Sequence, residues 1–167
     1  MMYEQLSDKE CANRMDEDKL LQYLMNQQET NKVIIQKQIN DLVACNNYTK
    51  QFGIKLSEKE AMELIQERRE NLIRQERIEF GDGIITKLIF AFCDSSYIYQ
   101  DNFVDTIQRL QEIFYIYKNE SLDELTDDEL IEYMKKQFDG KCQGDLDYLE
   151  DTALEAFARK IRCGWDD

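Results

Sequence analysis

The chain has 167 residues, 35 of them acidic and 21 basic, for a net charge of -14, and it contains no histidine. The missing histidine removes the side chain most used for proton transfer near neutral pH and the commonest metal ligand. The acidity argues against direct binding of nucleic acid or an anionic membrane through a positive field.

There is no proline, and there are only six glycines. A chain so short of breakers reads as helices joined by brief turns. Leu20, Leu21 and Leu24 suggest a first, short helix. Ile35, Ile39, Leu42 and Val43 form a stripe at helical spacing. Ser57 and Glu60 match a capping box, in which the serine hydroxyl accepts a backbone N–H and the glutamate reaches back. The helix that follows carries Ala61, Leu64, Ile65, Leu72 and Ile73 inward and is expected to end near Gln75 or Arg77. Gly81-Asp82-Gly83 breaks the chain, with Asp82 placed to cap the next helix. That helix, with Ile84, Ile85, Leu88, Ile89 and Phe92, is the least polar segment and the expected centre of the core.

A long helix is predicted over 101–118, where Phe103, Ile107, Leu110, Phe114 and Tyr117 step by four and three. Thr126 and Glu129 form a second capping box, and its helix shows Leu130, Ile131, Met134 and Phe138 before a cap at Gly140. The last helix, 146–162, would turn Leu149, Ala153, Phe157 and Ile161 inward and stop at Gly164. The fold class is therefore all-α: an irregular bundle of six or seven helices around a central apolar helix at about 83–93. An N-terminal segment, 1–30, partly helical and loosely packed, precedes a single domain over 31–164.

The 43% hydrophobic fraction and the nine tyrosines and eight phenylalanines are too rich for a disordered acidic chain. Five cysteines, at 11, 45, 93, 142 and 163, contain no Cys-x-x-Cys spacing and read as free thiols of a cytoplasmic protein. Neither a signal peptide nor a membrane span is expected, since the longest apolar run is the six residues 88–93.

The charge is unevenly spread. Residues 119–151 hold 12 acids and 3 bases, whereas 32–77 carry a net +2. Helix starts explain many of these acids, because the helix dipole favours negative charge there. The same stretch could form an acidic docking face, for which Glu120, Asp123, Glu124, Asp127, Asp128 and Glu132 are the candidate contacts, with Tyr97 and Tyr99 beside them.

Other constellations are weaker. Glu79, Asp82 and Asp94 could in principle bind a divalent cation, but a helix over 83–93 would separate the last two by about 15 Å. Residues 139–151 fail the calcium-loop pattern, with Lys141 and Gln143 at ligand positions. Arg68, Arg69, Arg74 and Arg77 alternate with Glu67, Glu70 and Glu76 and read as an ion-paired solvent face. No histidine base exists to activate a cysteine or serine.

One ordered series of blocks resembles a known family. It begins with Ile78-Glu79-Phe80-Gly81-Asp82-Gly83-Ile84 and Ala91-Phe92-Cys93-Asp94-Ser95. It continues through Leu110-Gln111-Glu112-Ile113-Phe114-Tyr115, Lys118-Asn119-Glu120-Ser121-Leu122, Asp127-Asp128-Glu129-Leu130 and Cys142-Gln143-Gly144. Over about 40–162 the chain resembles an uncharacterised family, a domain of unknown function, of small helical proteins from clostridia-like bacteria. The resemblance implies a cytoplasmic bacterial origin and brings no activity or ligand. The family it points to has proline at the position of Ser96 and glycine at that of Asp82, which weakens a role for Asp82.

The expected function is a non-enzymatic interaction or regulatory module that meets another protein, one with a basic surface, through the 119–151 face. The alternatives are a nucleic-acid mimic that blocks a basic cleft, and a metal-dependent enzyme using Glu79, Asp82 or Asp94. No cofactor, metal ligand or catalytic residue is assigned.

Overall fold

The computed structural model describes residues 2–79 and 83–164, with side chains from residue 19 onward. The chain divides into two units, Met1–Lys37 and Gln38–Asp167. The first is a continuous stretch of α1 (Met2–Ala44), in place of the separate short helix expected around Leu20 to Leu24. Leu20, Leu21 and Leu24 are all exposed.

The second unit begins with the end of α1, where Ile39, Leu42 and Cys45 are buried. A single turn, α2 (Asn46–Thr49), and a 3-10 turn, Lys50–Phe52, lead to α3 (Glu58–Arg74). The capping box at its start is complete: Ser57 accepts the Glu60 N–H, and Glu60 accepts the Ser57 N–H at 2.8 Å. The helix α4 (Ile85–Phe92) packs against α3, α5 (Phe103–Glu120) and α6 (Asp127–Asp139). Ile84, Leu88, Ile89 and Phe92 are fully buried, so the least polar segment is indeed the middle of an all-α bundle. Among the described residues there is no strand. Phe92 meets Phe138 edge-on at 5.5 Å, an arrangement that suits the ring quadrupoles.

The Thr126–Glu129 capping box also forms, and α6 ends at Gly140. In α5 all five predicted inward positions are buried. Two other stripes need correction. On α3 the inward face runs Ala61, Leu64, Ile65, Arg68, Asn71, and Ile73 is 78% exposed. The face keeps its period, but polar side chains occupy its last turn.

The second correction concerns the C-terminal helix. It is built as α7 (Leu146–Tyr148), a π-helical turn (Leu149–Leu154) and α8 (Glu155–Cys163). The π turn holds one extra residue, so the buried set becomes Leu149, Leu154, Ala158 and Ile161. Ala153 and Phe157, expected inside, are only half-buried. The turn is tied to α5: the Tyr117 hydroxyl donates to the Glu150 carbonyl, and Arg109 binds the Glu150 carboxylate.

Candidate functional site

A buried polar cluster joins α3, the 76–79 connection and α5. Arg68, 8% exposed, donates through Nε and Nη2 to Glu79 Oε2 at 3.1 and 2.9 Å. The hydroxyl of fully buried Tyr115 donates to the same oxygen at 2.7 Å. Burial opposes the Arg68 charge most strongly, but hydrogen bonds to Glu79 and Tyr115 together outweigh it, and Arg68 holds its proton more firmly than a free arginine. Burial, then the hydrogen bond and charge of Glu79, push the Tyr115 hydroxyl far above its ordinary range, so it stays a donor.

Gly83 closes over this cluster. Its φ is +69°, and a Cβ there would run into the Arg68 guanidinium. The sequence signal for the site is therefore Gly83, one of the pair flanking Asp82. Phe80, Gly81 and Asp82 lie outside the described residues, and with them the expected cap at Asp82. Arg68 is not the solvated residue expected of it. Arg74 does pair on the surface, with Glu67 at 2.7 Å, whereas Arg77, largely buried, pairs with Asp123 at 2.8 Å and with none of the interleaved acids.

The chemistry of the cluster is that of a clamp. Three donors converge on one oxygen of Glu79, leaving that oxygen no direction from which to take a substrate proton. The adjoining cavity, between Leu42, Ile65, Arg68 and Ile85, has about 20 Å³ for a molecule. That admits one water and no organic ligand. Asp94 is engaged elsewhere, with Lys135 at 2.5 Å. Among the described residues no group of three or more His, Cys, Asp or Glu is placed to hold a metal ion. Cys45, Cys93 and Cys142 are buried free thiols, and burial pushes each above the ordinary thiol range, away from the reactive thiolate.

The acidic stretch 119–151 is largely neutralised by cations of the same chain. Glu120 binds Arg162, Asp123 binds Arg77, Asp127 binds Lys118 and Asp128 binds Lys87. Asp139 pairs with Lys135, and Asp147 and Glu150 pair with Arg109. Glu129 and Asp145 cap helices. The side chains of Glu124, Glu132 and Asp151 make no ion pair or hydrogen bond among the described residues. Sequence reasoning placed these acids together but could not pair them, because most of the cations come from other elements: Arg77 after α3, Lys87 on α4, Arg109 and Lys118 on α5 and Arg162 on α8.

Between α5 and α6 the backbone is unusual. Leu122 and Asp123 both have positive φ, 56° and 55°, and Leu122 is 64% exposed. The two candidate tyrosines sit in the 95–102 loop, away from these residues in sequence. Tyr97 is half-buried, edge-on to Phe138 at 6.2 Å, while Tyr99 is 59% exposed.

The described residues define a small all-α domain. The chain belongs to the Family of unknown function (DUF6323), whose model matches residues 41–167. No curated protein and no solved structure matches it. Among the described residues no helix is long and apolar enough to cross a membrane.

Proposed function

We propose that this domain is a non-enzymatic docking module of a bacterial cytoplasm. It binds a basic partner protein through the 121–126 loop and the exposed side of α6. Leu122 carries the reading. Leu122 takes the left-handed position that caps α5, where its N–H and that of Asp123 donate to the Asn119 and Lys118 carbonyls, and its side chain is left 64% exposed. A partner pocket that takes up this side chain would contribute about 1.5–3 kcal/mol.

The surrounding charge fits a partner rich in lysine and arginine. Glu124 and Glu132 are unpaired among the described residues, and Asp128 is bound only to Lys87 in an exposed pair. Such a pair is worth under about 1 kcal/mol and is readily exchanged for a partner's cation. Carboxylates around an apolar anchor steer encounter and set register, while the anchor supplies affinity. The buried thiols of Cys45, Cys93 and Cys142 suit a reducing compartment.

The test compares the full chain with a Leu122→Ser, Glu124→Lys, Glu132→Lys variant as bait. The wild type should retain one protein that the variant loses by at least about tenfold, and that protein should elute as salt is raised from about 50 to 500 mM. Equal capture by both baits would overturn the proposal.

A further inference from the structure

We propose that the groove between α6 and the α7–π–α8 segment binds a small planar organic anion: an aromatic or heteroaromatic ring that bears a carboxylate or phosphate. This site is separate from the 121–126 loop and does not rest on the docking role.

The groove has a volume of about 230 Å³, below the roughly 300 Å³ at which drug-sized sites begin and so suited only to a small ligand. Its wall is aromatic. The Tyr133 and Phe157 rings stack at 4.0 Å with 14° between their planes, and exposed Tyr148 flanks them. Ala153 and Ala156 have short side chains and leave the depression open.

The groove exists because of the π turn. An uninterrupted α-helix would carry Ala153 and Phe157 inward with Leu149 and Ile161. The extra residue sends Leu154 and Ala158 into the core instead and leaves Phe157 on the groove wall, against Tyr133. Single π turns inside α-helices recur at functional sites. Here the turn is pinned from α5 by Tyr117 and Arg109.

The second, independent feature is charge. Lys141 and Lys160 line the groove, and neither is ion-paired among the described residues. None of the nine lining residues is acidic, in a chain with 35 acids. Two unneutralised cations beside aromatic rings suit an anion whose ring can lie on them, with Gln137 and Thr152 as hydrogen-bonding groups.

The test is a ¹⁵N–¹H NMR titration of the full chain with three probes: AMP, 1-naphthoate and inorganic phosphate. At least one of the two planar anions should give saturable shifts confined to the groove residues, and phosphate alone should bind at least about tenfold more weakly. Lys141→Gln with Lys160→Gln should weaken the planar anion by about tenfold or more. Ala156→Trp, at an exposed position, should fill the groove and abolish the shifts while leaving the melting temperature unchanged. Absence of saturable shifts with both planar anions would overturn the proposal. So would phosphate binding as tightly, or undiminished binding to the lysine variant.

Discussion

Arg68 stands between charged sequence neighbours, Glu67, Arg69 and Glu70, yet it points into the domain and is held by Glu79, which Tyr115 also binds. Removing one partner of a buried pair leaves the other charge uncompensated. Arg68→Ala should therefore cost about 3 kcal/mol in urea unfolding, and Tyr115→Phe about 1.5 kcal/mol. The double variant should lose less than the sum, since both act on one carboxylate oxygen. Additive losses would mean that the three groups do not form a unit. Asp123 gives a pH prediction. The hydrogen bond from Arg77 holds its carboxyl below the ordinary range. Its contribution is complete above the ordinary aspartate range and is lost as pH falls through the lowered value. Wild type should exceed Asp123→Asn in stability by under about 1 kcal/mol at pH 7, since the pair is partly exposed. The gap should close as the solution is acidified below about pH 4, near the free aspartate value. A gap that persists in acid would contradict the pairing. Ser57 and Thr126 were legible in the sequence because a capping box lies within four consecutive residues. Arg68 was not, because its partners stand 11 and 47 positions away and only Gly83 marks the spot.

The π turn shows how one residue redirects an element. Periodicity placed Leu149, Ala153, Phe157 and Ile161 on one face. The two ends of that stripe are buried, while the middle is displaced by the extra residue of Leu149–Leu154. No composition signal announces this, since Leu154 and Ala158 are as apolar as the residues they replace. Contacts from α5 hold the turn, so Tyr117→Phe should release the Glu150 carbonyl at a cost of about 1 kcal/mol. Hydrogen exchange should accelerate across 149–154 and stay unchanged in α6. Unchanged exchange in the turn would show that Tyr117 does not hold it. By contrast, the central helix α4 was readable from its apolar run alone, because a segment buried on several sides needs no polar face.

For the molecule as a whole, the family model and the larger unit nearly coincide, at 41–167 and Gln38–Asp167. All the buried apolar residues described lie at Ile39 or beyond. A chain beginning at residue 38 should therefore unfold cooperatively, with a midpoint within about 5 °C of the full chain. Non-cooperative melting would place part of the core in the first 37 residues. The net charge of -14 also reads differently once the chain is folded. Most carboxylates of 119–151 answer cations from the 76–79 connection, α4, α5, α6 and α8, leaving Glu124, Glu132 and Asp151 unpaired among the described residues and Leu122 exposed. The most direct test of the docking role places a photo-crosslinking amino acid at position 122, with one at Lys59 as control, its side chain being 88% exposed on α3. The account predicts one salt-sensitive crosslinked partner from position 122 and none from position 59. Identical products from both positions, or none from 122, would contradict it.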